Sequence, residues 1–170
     1  GGVLTRITRE YISSWLDRED DIRDKVKALI VRQLKSVDVS GRNLVVADVI
    51  VRYVMKTLQR DLEMLQDSAL GYFEILGREL PVYGNFNGQR MKGFIDRIDS
   101  FAPGQIRVVD YKTGKVLADD EDITDGNAED IARKIFEPDI ADRPKIALQF
   151  YMYDLLIRDC DVAKGRVISN

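Results

Sequence analysis

Residues 91–100 read MKGFIDRIDS and residues 105–114 read QIRVVDYKTG. Both runs carry the pattern of short strands, and Phe101-Ala102-Pro103-Gly104 between them has the composition of a turn. Side chains alternate faces along a strand. Phe94, Asp96 and Ile98 are therefore expected on one face of the first strand, and Ile106, Val108, Asp110 and Lys112 on one face of the second. Pairing through the turn brings Asp96 close to Asp110, with Lys112 pointing the same way. Two carboxylates a few ångströms apart repel unless a cation separates them or one takes up a proton. A divalent ion resolves the conflict, and two aspartates with a backbone carbonyl and waters make a suitable Mg²⁺ site. An ammonium beside it, from Lys112, can orient an attacking water or stabilise charge on a phosphoryl oxygen. Arg97 and Asp99 fall on the opposite strand face and are expected to be structural or part of an ion-pair network, with a phosphate contact the alternative for Arg97.

The flanking sequence supplies the rest of the fold. YFEILGRELPVYG, residues 72–84, reads as a further strand, with Pro81 marking an edge position or a strand end, and Asn85-Phe86-Asn87-Gly88 is a turn. The three strands form an antiparallel meander. The first third is helical. Ile7, Tyr11, Ile12, Trp15 and Leu16 recur at helical spacing, with Thr5 or Thr8 as N-cap and Trp15 in the core. Two more apolar stripes follow, through Ile22, Val26, Leu29, Ile30 and Leu34, and through Val46, Ile50, Val54, Leu58, Leu62 and Leu65. Downstream, AEDIARKIF reads as a short helix, KIALQFYMYDLLIRD after Pro144 as an apolar helix, and Val167-Ile168 as the opening of another strand. The expected class is α+β, one domain over residues 1–170, with a helical part at 1–68 and the site-bearing strands and helices at 72–170.

Composition narrows the chemistry. The 170 residues include no histidine and one cysteine, Cys160. A Ser-His-Asp triad, a Cys-His pair, a His-ligated zinc and an intramolecular disulfide are excluded. Carboxylates, lysines and arginines remain, an inventory suited to hard, oxygen-ligated cations. The net charge of −3 is unevenly spread: residues 119–130 hold seven acids and no lysine or arginine, so the rest of the chain has more basic than acidic residues. That acidic run is expected to be a solvated loop that keeps DNA off one side. No apolar run approaches the ~18 residues of a membrane span. A single free cysteine suits a reducing, cytoplasmic setting, and Cys160 itself reads as a small helix-end hydrophobe.

GFIDRIDS followed by VVDYKTGK, and then LQFYMY, resembles the PD-(D/E)XK nuclease superfamily, most closely the RecB/AddB-type exonuclease domains of bacterial helicase–nuclease machines. The likeness covers residues 72–158, about half the chain. It implies a restriction-endonuclease-like fold, metal-binding acids at Asp96 and Asp110, and a catalytic lysine at Lys112. The family's Q-x-x-x-Y helix falls on Gln149 and Tyr153, one helical turn apart. An acid ahead of the first strand matches Glu79, with Glu74 the weaker candidate. The resemblance further implies Mg²⁺ or Mn²⁺ on Asp96, Asp110, the Tyr111 carbonyl and, through water, Glu79. It implies hydrolysis of phosphodiester bonds at DNA ends or single strands, in repair or recombination, beside a helicase module, and not at a membrane. Lys115, directly after the turn glycine, is expected either to touch backbone phosphate or to be a solvated lysine. Two departures stand out: the family's upstream histidine and the four-cysteine iron–sulfur staple of many members are both absent. The chain is accordingly expected to be a fragment of a larger protein, cut after the histidine helix. The alternative is a catalytically inactive, nuclease-like DNA-binding or scaffold module.

Overall fold

The computed structural model describes residues 5–35, 39–66, 68, 70–112, 123–138 and 143–168. Thr113, Gly114, Lys115 and the first four residues of the acidic run, 119–122, lie outside these residues. The chain divides into two compact units, Gly1–Glu74 and Ile75–Asn170.

The first unit opens with β1 (Thr5–Thr8) and continues with α1 (Arg9–Leu16), α2 (Glu19–Leu34) and α3 (Arg42–Gln66). Ile7 lies in the strand rather than in the expected first helix. Thr8 is the physical reason: its Oγ1 accepts the Tyr11 N–H at 3.3 Å, which requires the threonine backbone to be extended just before the helix starts. Three acids, Glu19, Asp20 and Asp21, occupy the first turn of α2, where the exposed N–H groups favour negative charge.

The core of this unit is Ile22, Val26, Val39, Ala47 and Val51, with Trp15, Ile30, Val31, Val54, Met55 and Leu58 packed around it. The third stripe holds from Val54 on, with Val54 and Leu58 packed on this core and Leu65 buried, but departs from expectation in its first two turns. Ala47 and Val51 are buried, whereas Val46 and Ile50 are exposed. Residues 44–51 are apolar at all but Asp48, so periodicity alone does not fix which side turns inward; the small Ala47 permits the closest approach. In α2, Leu29 and Leu34 are likewise exposed. Trp15 is only half-buried, its ring covered by the Arg18 guanidinium at 4.6 Å and the Lys25 ammonium at 5.3 Å.

The second unit carries most of β2 (Tyr72–Phe86), then β3 (Gln89–Ser100), β4 (Gln105–Val109), α4 (Ala128–Phe136), α5 (Lys145–Ile157), a short 3-10 turn (Asp161–Ala163) and β5 (Val167–Ile168). The strands form a mixed five-stranded sheet in the order β1-β2-β3-β4-β5. The expected three-stranded meander is its middle, with a strand added at each edge. β3 and β4 are antiparallel, with Arg97 opposite Val109, Ile98 opposite Val108 and Asp99 opposite Arg107. β5 lies parallel to β4, and the Val167 N–H donates to the Gly104 carbonyl at 2.8 Å. β2 runs straight through Pro81 rather than ending there. Four-residue β1 can flank only part of fifteen-residue β2, so an edge position without an N–H donor is tolerated.

The core of the second unit joins Val82, Ile95, Ile98 and Ile106 of the sheet to Tyr153, Leu156 and Ile157 of α5 and Ala163 beyond it. Cys160 packs on its margin, and burial raises its thiol pKa, with Asp159 and Asp161 adding to the rise. A smaller cluster of Ile131, Ile135, Ala147 and Leu148 ties α4 to α5.

The alternation of β3 breaks midway. A Cβ on Gly93 would lie 3.3 Å from Leu156 Cδ1 and 3.7 Å from Tyr153 Cε1, so residue 93 faces α5. Ile98 belongs to the same apolar cluster as these α5 side chains. Strict alternation would put residues 93 and 98 on opposite faces. Phe94, exposed and stacked under the Lys92 ammonium, therefore lies away from α5 and does not share the face of Asp96 and Ile98 as expected. Among the described residues, no helix is long and apolar enough to cross a membrane.

Candidate active site

Asp96 stands near the middle of β3, and Asp110 is the first residue past β4. The last ladder pair is Arg97 with Val109, so the next pair outward is Asp96 with Asp110. Directly opposed residues of an antiparallel pair share a face, with Cβ atoms about 5 Å apart. The two carboxylates are thus held side by side where β4 lets go of the sheet. Leaving the ladder frees the Tyr111 N–H, which donates to Asp96 Oδ2 at 2.8 Å and fixes that carboxylate against the exit of β4.

Asp110 is the hub. Its side chain is only 5% exposed. Oδ1 accepts from Gln149 Nε2 at 3.0 Å and from the Tyr153 hydroxyl at 3.1 Å. Oδ2 forms a close ion pair with Lys112 Nζ at 2.5 Å.

Helix α5 delivers the other two side chains from one face. Gln149 reads both charges at once: its carbonyl Oε1 accepts from Lys112 Nζ at 2.7 Å, while its amide donates to Asp110. Only this amide orientation puts the acceptor at the ammonium and the donor at the carboxylate. Gln149 also donates to the Tyr153 hydroxyl, which reaches the Phe94 carbonyl at 2.8 Å. Burial, followed by the Asp110 bond and the charges of Asp110 and Asp96, raises the Tyr153 pKa against the opposing bond from Gln149. Tyr153 therefore remains a neutral phenol that ties β3, β4 and α5 together. Gly84 and Gly93 make this possible, since a side chain at either would press on Leu156.

Asp96, Asp110, Tyr111, Lys112, Gln149 and Tyr153 are thus gathered at one spot. Among the described residues, no three acidic or sulfur side chains form a metal-holding group. Glu79 is exposed, in the left-handed conformation at φ +49° inside β2. Glu74 belongs to the first unit, paired with Arg6 at 2.8 Å. Lys115 lies outside the described residues. The sequence reading did not anticipate the Tyr111 amide on Asp96 or the Phe94 carbonyl under Tyr153. Gly93, a glycine inside a strand, was the available signal of a bulge or a close approach.

The donor set fits a hard divalent cation. Two carboxylates converge, every nearby candidate ligand is oxygen, and the nearly buried Asp110 carboxylate is already stabilised by a cation, Lys112.

On the far face of the same strands, Asp99 is completely buried. Arg107 grips it with two bonds, Nε to Oδ1 at 2.9 Å and Nη2 to Oδ2 at 2.8 Å, and Arg97 Nε lies 2.8 Å from Oδ2. The expectation of an ion-pair network there matches this geometry.

A family model described as the PD-(D/E)XK nuclease superfamily matches residues 3–163, nearly the whole chain. No curated protein and no solved structure matches it.

Proposed function

The chain belongs to the PD-(D/E)XK nuclease superfamily, and from that premise we propose that it is a Mg²⁺- or Mn²⁺-dependent DNA exonuclease domain of the RecB/AddB type. One observation carries the proposal: Asp110, Lys112, Gln149 and Tyr153 interlock through side-chain bonds beside Asp96. Asp96, Asp110 and the Tyr111 carbonyl would hold the ion. When bound, the ion supplies Lewis-acid polarisation of a phosphoryl oxygen and lowers the pKa of water.

Hydrolysis joins a water oxygen to phosphorus, breaks the phosphorus–ester oxygen bond and delivers a proton to the departing oxygen. Lys112 hydrogen-bonds the attacking water or the phosphoryl oxygen on which charge grows. Gln149 holds that ammonium by its carbonyl and so sets where the water sits. Tyr153 stays protonated and keeps Asp110 in place. No imidazole is needed, as the composition requires. The reading extends to DNA ends as substrate, a helicase module as neighbour, and a place in repair or recombination in the cytoplasm.

A second reading, a nuclease-like DNA-binding or scaffold module without catalysis, is favoured by one observation: only two acids converge among the described residues. Cleavage of end-labelled linear DNA with Mg²⁺ decides. Activity that disappears in Asp110→Ala and in Lys112→Ala, with unchanged melting temperature, supports the nuclease. Activity indifferent to both substitutions contradicts it, and a folded, inactive parent supports the scaffold.

A further inference from the structure

The turn between β2 and β3 is two residues long, Asn87 at φ +49° and Gly88 at φ +82°. Two successive left-handed residues make the tight turn that sets its flanking residues, Phe86 and Gln89, opposite each other. Counting back, Tyr83 stands opposite Lys92 and Pro81 opposite Phe94. The close approach of Gly93 to Val82 agrees: a Cβ there would lie 3.3 Å from Val82 Cγ2. Val82, Gly84 and Gly93 face inward, the glycines against Leu156 of α5. The other face therefore carries Pro81, Tyr83, Asn85, Arg90, Lys92 and Phe94.

That face has an unusual composition. Tyr83 is 58% exposed and Phe94 54% exposed. The Lys92 ammonium sits between them, 5.5 Å from the Tyr83 ring centroid and 4.7 Å from that of Phe94. Arg90 adds a second cation, and none of the six residues is acidic. Two open rings with cations interleaved match what an unpaired nucleic-acid strand presents, flat bases alternating with a polyanionic backbone. A duplex hides its bases within the stack and offers such rings nothing.

We propose that this outer face of the β2–β3 hairpin is a stacking platform for single-stranded DNA. Bases lie on Tyr83 and Phe94, and Lys92 and Arg90 meet the phosphates. Phe94 is two residues from Asp96, and its carbonyl is held by Tyr153. The platform is thereby joined to the proposed nuclease site, on which its biological meaning rests, and it would favour unpaired or frayed ends.

Fluorescence anisotropy of a labelled oligothymidylate, in EDTA so that no cleavage occurs, tests it. Tyr83→Ala and Phe94→Ala should each weaken binding about tenfold, with blunt-duplex binding and melting temperature unchanged. Tyr83→Phe keeps the ring and should bind as the parent does. Lys92→Ala should flatten the slope of log affinity against log salt by about 0.7. Ring variants that bind as tightly as the parent would overturn the platform, as would equal losses in Tyr83→Phe and Tyr83→Ala. Cleavage is read separately. A parent that binds but does not cut defeats the nuclease reading alone, and one that cuts while its ring variants bind normally defeats the platform alone.

Discussion

Asp99 and Asp110 are both buried aspartates with basic partners, on opposite faces of the same two strands, and their surroundings differ in kind. Asp99 is closed off. Two guanidiniums surround it, one of them bidentate, and neutralise its charge. The arginines stack outward on aromatic rings, Arg107 on Phe101 at 4.4 Å and Arg97 on Tyr111 at 5.8 Å. Asp110 is instead held by three different kinds of donor, and the lysine beside it keeps about a third of its surface in water. A carboxylate satisfied by rigid forks holds a sheet together. One paired with a half-open, flexible ammonium is available to a ligand.

The contrast can be broken by substitution. The largest effect is expected at the site: Asp110→Ala or Lys112→Ala should lower cleavage by at least about 10²–10³-fold in a DNA-end assay, with little movement of the melting temperature. On the other face, Asp99→Ala leaves two arginines without their counter-charge and should destabilise by about 3–5 kcal/mol in urea unfolding. Equal stability losses from Asp110→Ala and Asp99→Ala would erase the distinction.

Tyr153→Phe removes a hydroxyl that touches Phe94, Gln149 and Asp110, and should cost about 1 kcal/mol. It also carries a pH signature. The folded-state pKa is raised above the ordinary tyrosine value of about 10, so its stabilising contribution is complete below that pH and is lost as the pH rises through the folded-state value. Parental stability should therefore fall more steeply above pH 10 than that of Tyr153→Phe. The smallest effect is expected at Arg133 on α4, whose exposed bonds to Asp130 and Glu137 should yield no measurable change on Arg133→Ala.

Much of this was legible in the chain. The motif strands, the helix boundaries of α4 and the Gln149–Tyr153 spacing follow from pattern, because period and turn residues agree there. The separation of Asp96 from Asp99 by strand face was equally readable. What escaped depends on packing. Which side of the first two turns of α3 faces inward is set by the small Ala47 within a run that is apolar almost all round. The break in β3 is set by how closely α5 approaches Gly93. The Tyr111 amide became a ligand for Asp96 only because β4 ends at Val109, and no local signal in VVDYK marks that end.

The account stands on Asp96 and Asp110 sharing a divalent cation. Calorimetric titration of Mn²⁺ into the parent, Asp96→Ala, Asp110→Ala and Asp99→Asn proteins measures this directly. Saturable binding in the parent and in Asp99→Asn, abolished in each of the other two, is the predicted result; binding that survives the loss of either Asp96 or Asp110 would contradict it.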